Sequence, residues 1–105
     1  MSSKKDYPIG IFDSGIGGLS VVKEVQRLLP GEEIIYFGDT ARLHYGTKSK
    51  ETITRFSREI ARFLLGFRVK LIVVACHTAS SFSLATLKRE LNLPVIGVIE
   101  PGAEE

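Results

Sequence analysis

The sequence predicts an α/β fold, a three-layer sandwich around a four-stranded parallel sheet of the flavodoxin-like kind. Three observations carry that expectation. Short apolar runs rich in β-branched residues begin near residues 9, 34, 71 and 95, and stretches with helical spacing of apolar residues separate them. Turn-forming glycines or hydroxyl residues stand at the carboxyl end of each of the first three runs. Strand and helix in alternation make a βαβαβαβ chain, whose strands run parallel and whose sheet is covered on both faces.

The first strand is Tyr7 to Phe12, with Pro8 at its start, where a missing amide costs the ladder least. It opens into a glycine-rich turn, Asp13, Ser14, Gly15, Ile16, Gly17 and Gly18. Leu19, Val22, Val25, Leu28 and Leu29 then recur at helical spacing until Pro30 and Gly31 stop the pattern. Ile34 to Phe37 is the second strand. The loop after it, from Gly38, Asp39 and Thr40 through His44, Tyr45, Gly46 and Thr47, is long for a plain connection.

A second helix starts near Lys50, with Ile53, Phe56, Ile60, Phe63, Leu64 and Phe67 on its apolar stripe. Arg55, Arg58 and Arg62 share its outer side with Glu51 and Glu59 interleaved, which reads as a solvated face. The third strand, Leu71 to Val74, is continuously apolar, as a strand buried on both faces must be, and ends at Ala75 beside Cys76. Thr78, Ser80 and Ser81 offer cap-type hydroxyls before a helix through Phe82, Leu84, Ala85, Leu87 and Leu91, ended by Asn92. Pro94 to Ile99 is the fourth strand. The expected strand order is 2-1-3-4, which puts strands one and three side by side and brings Asp13 and Ser14 next to Cys76.

With 105 residues, 44% of them hydrophobic and 25% charged, the chain suffices for one core and one domain over residues 1–105. Residues 1–6 read as a frayed tail, and residues 100–105 as the start of a linker. The formal charge of +2 is spread among interspersed acids and bases, not the concentrated footprint of a nucleic-acid binder. No apolar run reaches membrane-spanning length, and Met1 to Asp6 lacks the apolar segment of a signal peptide. A single cysteine forms no internal disulfide, so a reducing, cytoplasmic setting is the simplest expectation.

Cys76 is placed in a tight strand-to-helix turn, where α/β sheets carry their sites and where helix-terminal amides favour a thiolate. Several thiol chemistries lack their partners. There is no second cysteine for a redox pair, no arginine in the following turn for a phosphatase, and only His44 and His77 to join a metal site. Two active readings stay open: a nucleophile with His77 as its base, or a thiolate that takes a proton from carbon beside a carboxylate anchor and an ammonium partner. The inert reading is a buried structural cysteine in a stand-alone flavodoxin-like module that binds a small carboxylate or phosphate. The turn Asp13 to Gly18 lacks the lysine of a P-loop and the spacing of a dinucleotide fingerprint. Its amides suit a carboxylate, while Asp13 suits an ammonium group, a proton transfer, or a helix cap.

Four blocks, IGIFDSGIGGLSVV, IIYFGDTARLHYGTKS, LIVVACHTAS and PVIGVIEPG, together resemble, in order and spacing, the amino-terminal half of the glutamate racemase family. The resemblance implies interconversion of L- and D-glutamate without a cofactor, supplying D-glutamate for bacterial peptidoglycan. It implies two thiol acid/bases, one from each of two similar α/β domains. Carried over by position, Cys76 matches the amino-terminal catalytic cysteine and Asp13 the acid that assists it. Ser14, Tyr45, Gly46 and Thr78 match residues that hold the substrate's carboxylate and amino groups. His77 stands in that group where the family usually has asparagine, and His44 replaces a usual proline. With no second cysteine in the sequence, the resemblance further implies a chain that holds half a site, turns over little or nothing alone, and needs a carboxy-terminal domain. A sheet edge left bare of that domain favours a homo-oligomer.

Overall fold

The computed structural model describes residues 6–15, 18–42 and 47–98. Strands β1 (Ile9–Asp13), β2 (Ile34–Gly38), β3 (Leu71–Val74) and β4 (Val95–Gly97) form one sheet in the order β2-β1-β3-β4. Every neighbouring pair is parallel. The helices between them are α1 (Leu19–Leu28), α2 (Lys50–Leu65) and α3 (His77–Glu90), with a short 3-10 turn at Thr40–Arg42. The expected α/β class and strand order are the observed ones. The expected tail and linker, apart from Asp6, lie outside the described residues, as does Ile99.

Side chains alternate across the pleat, and that alternation sorts the sequence into two cores. Phe12, Ile72 and Val74 pack with Ile53, Ile60 and Leu64 of α2 and Leu84 and Leu87 of α3. On the other face Ile9, Ile11 and Val73 meet Val22 of α1, with Val21 and Val25 partly buried beside them. The first core is thick because two helices share it and also pack on each other; within it the Ser57 hydroxyl donates to Ser83 Oγ at 3.0 Å.

The second core departs from the sequence reading. Of the helical stripe Leu19, Val22, Val25, Leu28 and Leu29, only Val22 is buried; Leu19 and Leu28 are each 59% exposed and Leu29 48%. Among the described residues α1 is the one helix over that face, and it meets the sheet through Val21, Val22 and Val25. The end of the α2 stripe departs too. Phe63 and Phe67 are half exposed; Phe63 meets Phe37 of edge strand β2 edge-on at 5.4 Å and Phe67 edge-on at 5.3 Å.

Strand ends shift for reasons of backbone bonding. β1 continues to Asp13, one residue past the expected end, because the Asp39 amide donates to the Asp13 carbonyl at 3.0 Å. β4 starts at Val95 because Pro94 has no amide to give, although its carbonyl accepts from Ile72 N at 3.1 Å. Ser49 caps α2, accepting from Thr52 N at 3.1 Å.

Candidate functional site at the carboxyl edge of the sheet

Cys76 comes two residues after the end of β3 and is the N-cap of α3. Its extended backbone (φ −104°, ψ 129°) is the usual cap conformation, and its sulfur accepts a hydrogen bond from Ala79 N at 3.4 Å. This corrects the expected cap. The helix starts at His77, so Thr78 and Ser80 are already inside it, and the thiol itself takes the position assigned to a hydroxyl. The side chain is 8% exposed and belongs to the thick core. His77 is exposed in the first turn and Thr78 is half buried.

Ser80 has a different task. Its hydroxyl donates to the Val74 carbonyl at 3.0 Å and accepts from Val98 N at 3.1 Å, which ties the ends of β3 and β4 to one helical turn.

Asp13 and Ser14 arrive at the same edge. Phe12 is in register with Val74, and Ala75 N donates to the Phe12 carbonyl at 2.8 Å, so the two chains leave the sheet as neighbours. The Asp13 side chain, however, lies on the α1 face, opposite to the face that holds Cys76. It is wholly buried; Oδ1 accepts from Gly15 N at 2.7 Å and Oδ2 from the Tyr36 hydroxyl at 2.9 Å. The N-cap of α1 is Gly18, which has no side chain with which to cap the helix. Asp13 folds the turn through Gly15 N, and the turn puts Gly15 at φ +93°, a left-handed conformation. Ser14 is buried at the edge. Tyr45 and Gly46, with His44 before them, lie outside the described residues.

Sequence reasoning missed three residues here. Tyr36 is paired with Ile11, two positions before Gly38, which pairs with Asp13; it is therefore the diagonal same-face neighbour of the carboxylate. Burial, then the hydrogen bond and negative charge of Asp13, push its phenol up to about 12. Asp39 and Arg42 form the second feature. Arg42 Nε donates to Asp39 Oδ2 at 2.8 Å and Nη1 to Glu59 Oε1 at 2.6 Å, while its guanidinium lies 3.9 Å above the Phe56 ring. That bond holds Glu59 below its ordinary value. The loop after β2 is thereby stapled to α2. Its only sequence signal is the spacing Asp39 to Arg42.

A cleft of about 430 Å³ lies at the other end of the sheet, lined by Tyr7, Leu65, Val69, Lys70, Leu93 and Pro94 among others. It is remote from the cysteine, and Lys70 there is paired with Glu32. Among the described residues no group of three or more His, Cys, Asp or Glu could hold a metal ion, and no helix is long and apolar enough to cross a membrane.

A parallel α/β domain in flavodoxin-like order, with a lone thiol capping the helix after its third strand, defines a class of α/β domains with a thiol at the sheet edge. No family model matches the chain. Individual proteins do. The glutamate racemase of Geobacter metallireducens is 63% identical over 95 residues, 90% of this chain and 35% of that protein. A crystal structure of glutamate racemase from Thermus thermophilus in complex with β-chloro-D-alanine superposes with a TM-score of 0.88 at 58% identity, covering 91% of this chain and 38% of that one. Glutamate racemase from Francisella tularensis, in complex with D-glutamate, gives 0.82 at 49% identity over 89% and 36%. Over about nine-tenths of its length the chain is similar to glutamate racemases, in sequence and in fold. It spans little more than a third of the length of the curated relatives it matches.

Proposed function

We propose that the full-length protein interconverts L- and D-glutamate without a cofactor, and that Cys76 is one of its two thiol acid/bases. The observation that carries the reading is the thiol at the carboxyl edge of β3, with the Ala79 amide aimed at its sulfur, in a chain so similar to glutamate racemases. One relative's structure, that from Francisella tularensis, is a complex with D-glutamate, which supports glutamate as the substrate here.

The chemistry sets the number of groups required. A thiolate takes the α-proton from one face of the amino acid, the electron pair stays on the α-carbon as a carbanion delocalised into the carboxylate, and a second acid returns a proton to the opposite face. One thiol serves one face. The chain holds a single cysteine, so the second acid comes from sequence outside these 105 residues, and this chain alone turns over little or nothing. Ser14 from the neighbouring strand exit, and His77 and Thr78 next to the thiol in the chain, are proposed to hold the substrate's charged groups, with Tyr45 and Gly46 from the loop after β2. Asp13 is proposed to assist Cys76 through the turn it folds, since its own oxygens are held by Gly15 and Tyr36. A cytoplasmic setting and a supply of D-glutamate to peptidoglycan belong to the same reading.

In the full-length protein, Cys76→Ala is expected to lower turnover in both directions by at least roughly 10²–10⁴-fold, the range a positioned acid/base contributes. The assay is exchange of the α-proton in deuterated buffer together with change of optical rotation. Full activity in that variant returns Cys76 to a structural role, and a parent protein that binds glutamate without turning it over is a carboxylate-binding module.

A further inference from the structure

We propose that Tyr36 is a positioning residue for the racemase site: its hydroxyl holds the Asp13 carboxylate, and through it the glycine turn, at the sheet edge beside Cys76. The proposal rests on the reading of Cys76 and Asp13 as site residues given above.

The geometry is that of a fitted slot. Both Asp13 oxygens are engaged, Oδ1 by Gly15 N at 2.7 Å and Oδ2 by the Tyr36 hydroxyl at 2.9 Å, in a residue with no exposed surface. Glycines wall the slot. A Cβ on Gly18 would lie 1.6 Å from Asp13 Oδ2, and one on Gly38 would lie 2.8 Å from the Tyr36 hydroxyl and 3.3 Å from Asp13 Oδ1. The carboxylate therefore has one place to sit. The two donors come from different directions, one from the turn and one from the neighbouring strand. Rotating the carboxylate away from either would strand a buried oxygen, which costs more than the bond itself returns. Because Tyr36 is anchored in β2 by its register with Ile11, it transmits the fixed geometry of the sheet to a turn whose own backbone is left-handed at Gly15. Tyr36 touches Asp13 rather than the substrate, so its effect passes through that residue.

The test uses the full-length protein. Tyr36→Phe keeps the ring and removes the donor, and is expected to lower kcat on the order of ten- to a hundred-fold, the equivalent of one hydrogen bond to a charged group, with KM little changed. In an Asp13→Asn background the same substitution should cost nothing further; additive losses overturn the proposal, as does an unchanged kcat. If Tyr36→Phe fails to fold, titration of the tyrosines decides. A phenol near 12 that Asp13→Asn moves toward 10 supports the pairing, and tyrosines indifferent to Asp13→Asn overturn it. An enzyme that needs Cys76 but ignores Tyr36→Phe loses only this inference, whereas turnover surviving Cys76→Ala sinks the reading of Cys76 as an acid/base.

Discussion

The two faces of the sheet are built to different depths. Toward α2 and α3 the chain buries Phe12, Ile53, Ile60, Leu64, Ile72, Leu84 and Leu87 almost completely; toward α1 it buries Ile9, Ile11 and Val22 and leaves Leu19 and Leu28 in water. The proposed site is divided between them. Cys76 is anchored in the thick core, while Asp13 and Tyr36 stand on the thin one. The difference teaches that burial holds the thiol and hydrogen bonding holds the carboxylate. A few charged and polar contacts stand in for packing where only one helix is available.

The largest expected effect compares one core residue from each face. Phe12→Ala should cost about 3–5 kcal/mol of stability, the usual range for deleting a buried ring. Val22→Ala should cost only about 1–2 kcal/mol, the value of the two methyl groups. Denaturant unfolding measures both, and equal costs would erase the distinction between the faces. Next in size, Gly18→Ala drives a methyl into Asp13 Oδ2. Its loss should reach roughly 3 kcal/mol, the upper end of the overpacking range, although Gly18 lies on the thin face. A smaller loss would mean that the carboxylate can move, which weakens the slot.

The smallest effect is in alkali. The Tyr36 phenol is pushed from 10.0 up to about 12, so the folded state holds this proton more tightly than the unfolded chain. The resulting stabilisation is complete below pH 10 and is lost as pH rises from 10 to about 12. Melting temperature followed across that window should fall more steeply in the parent protein than in Tyr36→Phe. Parallel curves would show that the pair adds no stability.

Much of this was legible in the residues. The run Leu71 to Val74 is β-branched and unbroken, and it became the buried central strand; the same run fixed Cys76 at its exit. Pattern failed where the answer lies across the fold. Periodicity marks Leu19 and Leu28 as a face of α1 but is silent on whether anything stands opposite. Hydroxyls after Cys76 looked like caps, yet a sulfur can accept the same amide, and Ser80 was taken by strand ends that only the sheet brings together. Tyr36 and Asp13 are 23 positions apart, and only the register of β1 with β2 makes them neighbours. Asp39, Arg42 and Glu59 share that logic, since a loop and a distant helix meet there.

Ser80 has a mechanical meaning. It sits four residues beyond the thiol cap, a rise of about 6 Å along the helix, and grips the carbonyl that ends β3 and the amide just past β4. The position of Val98 is thus tied to α3, the helix that the thiol caps. A shift of the backbone at Val98 is felt by the helix that carries Cys76 through this hydroxyl and through the direct bond from Val98 N to the Val74 carbonyl at 3.2 Å.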